Sequence, residues 1–131
     1  MPVDPFAVVK VDDRLGIVFG WAACCILDGA DYVDTQGNHI PEDALLKAAA
    51  AFMEGDRPLG EMHKRTDAGQ VVFGFPLTSD IAAALGVSTS KTGFIVGVKP
   101  DAATLAKYRS GALTSFSLGG RHEIVDGKPV G

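Results

Sequence analysis

No apolar run in the 131 residues approaches the roughly 20 that a membrane-spanning helix needs. The chain opens Met1-Pro2-Val3-Asp4, without the basic-then-apolar start of a secretory signal, so no membrane partner and a cytosolic setting are expected. Positive charge is short as well: 12 Lys plus Arg stand against 16 Asp plus Glu, for a formal net charge of −4. Nucleic acid is therefore not expected as a main partner, because neutralising phosphates needs a basic face. Cysteine is scarce. Cys24 and Cys25 are adjacent within an apolar run, which excludes the common metal and redox spacings and predicts two reduced, buried thiols. None of the three histidines, His39, His63 and His122, is paired with another ligand type at metal-binding spacing, so no metal is expected. Gly-rich phosphate loops are missing too, and no cofactor is expected.

Apolar residues make up 47% and charged residues 21%, the balance of a globular chain, and the length allows a single domain over 1–131. Sixteen glycines and seven prolines are spread along the whole length without a repeat, so they punctuate short elements rather than forming a linker. Residues 6–11 and 16–27 are rich in branched and aromatic side chains and flank Asp12-Asp13-Arg14-Leu15, which predicts a hairpin. Residues 28–39 are turn-rich. A helix is predicted from Pro41 to Gly55, with Glu42 and Asp43 in its first turn and an apolar stripe of Leu45, Leu46, Ala49, Phe52 and Met53. Residues 70–77 and 93–99 read as strands. Between them Thr78 or Ser79 caps a short helix ending before Gly86, and a third helix runs from Pro100-Asp101 to Gly111. Residues 112–118 make a last clear strand. Strands come in groups and helices are few, which favours an α+β domain: a mostly antiparallel, partly closed β-barrel with about three peripheral helices.

Glu123-Ile124-Val125 leads into Asp126-Gly127 like a strand entering a hairpin, with four residues after it. Such an ending is expected of a chain cut inside a hairpin, and the domain is expected to be truncated there.

Two residues stand where chemistry is practicable. His63 lies between the segment Arg57–Met62 and the charged loop Lys64-Arg65-Thr66-Asp67, an edge at which a general base can be held and still meet substrate. Its plainer reading is a partly exposed histidine. Ser117 lies in Ser115-Phe116-Ser117-Leu118-Gly119-Gly120-Arg121, where a strand meets a double glycine and backbone N–H groups can converge as an oxyanion site requires. This is not the G-x-S-x-G elbow of α/β-hydrolases, since position 115 is Ser and no helix pattern follows. Strand alternation puts Ser115 and Ser117 on one face, so the pattern does not choose between them, and both read equally as plain sheet hydroxyls.

The order of these pieces carries more than any one of them. Asp34-Thr35-Gln36-Gly37-Asn38, then Met62-His63, then Phe116-Ser117-Leu118-Gly119-Gly120 resembles the phage prohead maturation proteases, a group similar to the herpesvirus assemblins. The resemblance runs from about Val8 to Arg121. It implies an assemblin-like fold and a serine endopeptidase that cleaves scaffold and capsid-protein extensions inside an assembling prohead, in the cytoplasm of the bacterial host. The Met-His match makes His63 the general base. The Ser-apolar-Gly match makes Ser117, rather than Ser115, the nucleophile, and Gly119 and Gly120 are placed to supply oxyanion N–H groups. Relatives orient the histidine with a third residue on a later strand. The third member is unassigned here, with Glu123 the weak candidate beside His122 and Asp126. The relationship also implies a homodimer, for which no heptad or exposed stripe in the sequence itself argues. The contrasting expectation is a non-catalytic, protease-like module that binds capsid or scaffold subunits. A blander third is a small binding domain whose His63 and Ser117 never meet.

Overall fold

The computed structural model describes residues 4–56 and 69–116. It is an α+β domain whose strands are β1 (Val8–Asp12), β2 (Ile17–Leu27), β3 (Ala30–Asp31), β4 (Gln70–Leu77) and β5 (Thr92–Lys99). Its helices are α1 (Glu42–Ala51), which runs on into a π-helical turn at Phe52–Asp56, α2 (Ser79–Leu85) and α3 (Ala102–Ser110). The sheet order is β1-β2-β5-β4, with β3 added to β2, and each pairing is antiparallel.

Central position explains composition. β5 lies between β2 and β4 and is buried on both faces, so it reads Thr-Gly-Phe-Ile-Val-Gly-Val with almost no polar alternation. Val18, Val96 and Val98 are completely or almost completely excluded from water. Each such burial is worth roughly 1.5–3 kcal/mol relative to exposure. They form one face with Val71 and Phe94, covered by Leu45 and Ala49 of α1, Tyr108 of α3, and Phe116. On the other face α2 packs Ala82 and Ile81 against Trp21, Leu77 and Ile95. Phe19 and Phe73 stack there at 6.1 Å, and Phe73 remains 52% exposed.

The helix boundaries follow local chemistry. Pro41 sits at the N-cap of α1, one position ahead of the first helical residue, and Glu42 and Asp43 occupy the favourable first turn. Of the expected stripe, Leu45 and Ala49 are buried and Phe52 and Met53 are carried by the π turn, while Leu46 is 42% exposed. Leu46 stands about 100° round the helix from Leu45, off the face that Leu45, Ala49, Phe52 and Met53 share at i, i+4, i+7 and i+8. Thr78, not Ser79, caps α2 by accepting the N–H of Ile81, and Asp101 caps α3 by accepting that of Thr104 at 2.8 Å.

The partial barrel closure expected from the strand pattern is not seen among the described residues: β1 and β4 are the two ends of the ladder. Alternation reports which strands have a buried face, but closure depends on edge-to-edge hydrogen bonding, which alternation does not encode. The last predicted strand, 112–118, is described as far as Phe116. Ser115 bridges to Ala7, the Val8 N–H donates to Thr114 O and the Phe116 N–H donates to Phe6 O. Residues 112–116 thus form no strand but a single isolated bridge beside the leading end of β1, a correction to the strand expected there. No helix among the described residues is long and apolar enough to cross a membrane.

Candidate functional site

Ser117, His63, Gly119, Gly120 and Glu123, with His122 and Asp126, lie outside the described residues. What the structure supplies is the scaffold on either side of them. The central row across the core face is Gly74–Val96–Gly20, one residue from each of β4, β5 and β2. Its outer members lack side chains, and each vacancy is filled from elsewhere. The Phe94 Cζ of β5 and the Met53 Sδ, from the π turn that precedes the His63 segment, stand 2.8 and 2.9 Å from where a Cβ of Gly74 would be. The Ala7 backbone O and the Phe116 Cε2, from the residue before Ser117, stand 2.7 and 2.8 Å from where a Cβ of Gly20 would be. Phe116 is also held edge-on by Tyr108, with ring centres 6.2 Å apart, and Phe52 makes the same contact with Phe94 at 5.8 Å. Both flanking segments are thus anchored on one core, two strands apart.

Ser115, the other serine on the pattern, is described. Its carbonyl lies 3.5 Å from the Tyr108 hydroxyl, its backbone bridges Ala7, and no histidine among the described residues accompanies it.

His39, to which the sequence assigned no role, pins the loop that carries Asp34-Thr35-Gln36-Gly37-Asn38. Its Nδ1 is 2.9 Å from Tyr32 O, and its Nε2 is 3.8 Å from an Asp31 carboxylate oxygen. Within the loop, Asp34 Oδ1 accepts the N–H groups of Gln36 and Asn38, both at 2.9 Å, and the Asp34 N–H donates to Asn38 O. Turn-forming Asp, Gly and Asn at these spacings were the sequence signal for this geometry.

Sequence reading missed a second polar cluster. Glu42 Oε2 accepts both the N–H and the hydroxyl of Ser79 at 2.9 Å, so the first residue of α1 clamps the start of α2. No sequence signal points to it, because the partners are 37 positions apart. Burial works against ionisation of the Glu42 carboxyl, but the nearby Thr92 hydroxyl and the two Ser79 hydrogen bonds outweigh it and hold the group below its ordinary range. The buried Thr92 hydroxyl makes no hydrogen bond of good geometry, so Ser79 is the firm contact. A carboxyl that titrates lower in the folded chain than in the unfolded one contributes stability that is present above the unfolded value and lost as pH falls through the folded one. The thermal midpoint is expected to drop on acidification from pH 5 to pH 3. Glu42→Gln is expected to lower stability by roughly 0.5–1 kcal/mol at pH 7 and to flatten that acid limb. An acid limb of unchanged steepness in Glu42→Gln would show that the clamp is inconsequential.

Cys24 and Cys25 are free and buried, as their setting in an apolar run predicts. Burial, then the charges of Glu42 and Cys24, pushes the Cys25 thiol up to about 11, and burial raises Cys24 despite Lys91 nearby. Neither is an activated nucleophile, since reactivity follows the thiolate. Alkylation of the folded chain by iodoacetamide at pH 7.5 is expected to run at least tenfold slower than of the urea-unfolded chain, read by mass spectrometry. Equal rates would contradict the burial.

No group of three or more His, Cys, Asp or Glu gathers among the described residues in a way that could hold a metal ion. Comparisons with protein-family models, with curated proteins and with solved structures give no match to this chain.

Proposed function

We propose that this chain is a serine endopeptidase of a tailed phage or prophage, acting inside the assembling prohead in the bacterial cytoplasm on scaffold and capsid-protein extensions. Ser117 attacks the peptide carbonyl while His63 takes the hydroxyl proton. His63 then returns the proton to the leaving amine, and water releases the acyl group from Ser117. In this reading Gly119 and Gly120 supply backbone N–H groups to the oxyanion, and Glu123, the first acid after Ser117 in the sequence, is the candidate for orienting the imidazole.

The observation that supports this best is the shared anchoring of the two flanking segments. Met53, beside Phe94, and Phe116, beside the Ala7 backbone, pack into the vacancies at either end of the row Gly74–Val96–Gly20, which are two strand spacings, about 10 Å, apart. Seven residues lead from Asp56 to His63, and an extended chain of that length reaches roughly 23 Å, so the span is within reach of an imidazole. The proposal includes the architecture: the described sheet is part of an assemblin-like, partly closed barrel. Irregular pairings in all three long ladders, at Val8/Lys10, Trp21/Ala23, Cys24/Ile26 and Val71/Phe73, favour this, because bulges coil a sheet. The homodimer implied by the same resemblance belongs with it.

The test is incubation of the chain with its neighbouring capsid and scaffold proteins, beside a Ser117→Ala control. Site-specific processing by the wild type alone is the expected result. Equal processing in both samples rejects Ser117 as nucleophile, and none in either favours a non-catalytic assembly module.

A further inference from the structure

The pinned loop after β3 walls a cavity of about 270 Å³ whose other sides come from β2 and from the chain before β1. Phe6, Ala22, Ala23 and Tyr32 form its apolar walls, with Asp34 and Asn38 as its polar members. Ala22, Ala23 and Cys24 of β2 line it where the ladder with β5 shifts register on both sides of Ala23–Cys24, and the small alanine side chains leave room there. The volume falls below the 300–1,000 Å³ of typical small-molecule sites, which suits a single side chain better than a whole cofactor. Its loop wall is preformed by the Asp34, Gly37 and His39 hydrogen bonds, and the Tyr32 N–H donates to Cys25 O. Phe6 O, on the same rim, accepts the N–H of Phe116, the residue before Ser117.

The charge inside is one-sided. The Asp34 carboxylate holds two backbone N–H groups, but no cation among the described residues forms an ion pair with it. Lys91, which lies close enough to influence Cys24, is engaged elsewhere: its ammonium donates to Asp4 O at 3.1 Å and sits 4.8 Å above the Trp21 ring. A mostly apolar lining with one carboxylate that has no ion-pair partner among the described residues matches a long aliphatic stem with a positive tip.

We propose that this cavity receives a lysine or arginine side chain of an extended peptide. The choice of a peptide rests on the endopeptidase reading; the choice of a basic side chain rests on the cavity alone. The test uses capped pentapeptides, Gly-Gly-Lys-Gly-Gly and its Glu counterpart, titrated into the ¹⁵N-labelled full chain carrying Ser117→Ala. The Lys peptide is expected to move the amides of Ala22, Ala23 and Asn38 saturably and to bind about tenfold tighter than the Glu peptide. Asp34→Asn, which retains the turn-forming acceptor but removes the charge, is expected to erase that difference. Shifts confined to other residues, or equal affinity for the two peptides, overturn the proposal. Wild-type chain incubated with the Lys peptide separates the two readings. Hydrolysis without movement of these amides rejects the cavity and leaves the peptidase standing. Movement of these amides without hydrolysis of this peptide or of the capsid proteins supports the cavity and removes the peptidase.

Discussion

Ser117→Ala is expected to reduce peptide hydrolysis by on the order of 10⁴–10⁶-fold, and His63→Ala by a similar factor, with KM nearly unchanged in both. The size follows from how the two groups act as a unit. A serine hydroxyl is a weak nucleophile until an imidazole takes its proton during attack, so removing either member removes the same step. The double variant is therefore expected to lose no more than either single one, and strict additivity of the two losses would contradict a shared step. A fluorophosphonate probe supplies a readout independent of substrate choice. It is expected to label wild-type chain stoichiometrically at Ser117, to label His63→Ala far more slowly and to leave Ser117→Ala unmodified. Labelling at Ser115 would move the nucleophile to the residue that the sequence pattern could not distinguish. Retention of the fold is checked by the near-ultraviolet signal of Trp21, which lies in the core cluster beneath α2.

The largest expected effect on stability is at Gly93, the second residue of the central strand β5. Its φ is +157°, and a Cβ there would stand 2.0 Å from Ala23 O and 2.9 Å from Cys24 Cα. Both obstacles are backbone of the neighbouring strand, so no rotamer change relieves them. The strand must separate locally or the pairs Cys24–Gly93 and Ala23–Phe94 must break. Gly93→Ala is expected to cost about 3 kcal/mol or more, seen as a fall in the urea midpoint at an unchanged m-value. Gly86→Ala is the comparison: it closes α2 in a left-handed conformation with open space around the added Cβ, so its cost is expected near 1 kcal/mol. Equal costs at the two positions would mean that the close approach of β2 to β5 is not a constraint.

Much of the architecture was legible because its causes are local. Pro41, Glu42 and Asp43 before a run of alanine and leucine mark α1, Thr78 or Ser79 and Pro100-Asp101 mark the starts of α2 and α3, and Gly86 and Gly111 mark their ends. The run of branched and aromatic residues in β5 announces a buried strand, and the hairpin between β1 and β2 follows from the break at Asp12-Asp13-Arg14-Leu15. The cysteines' burial was readable for the same reason. The candidate residues are a different case. Ser117 and His63 stand out by context and by the resemblance of their short motifs, while the geometry between them lies outside the described residues.

The order of strands and the partners of each polar group needed the folded chain. Alternation cannot say that β5 inserts between β2 and β4, that Met53 and Phe116 pack into the vacancies of Gly74 and Gly20, or that Glu42 closes on Ser79. By itself the sequence determined where the three helices and strands β1, β2, β4 and β5 lie, because periodicity and capping act within a few residues, but not β3, the π turn at Phe52–Asp56 or the lone bridge at Ser115. Tertiary structure alone decided register, bulges and the cavity beside Asp34, because these arise where segments distant along the chain meet and compete for the same space.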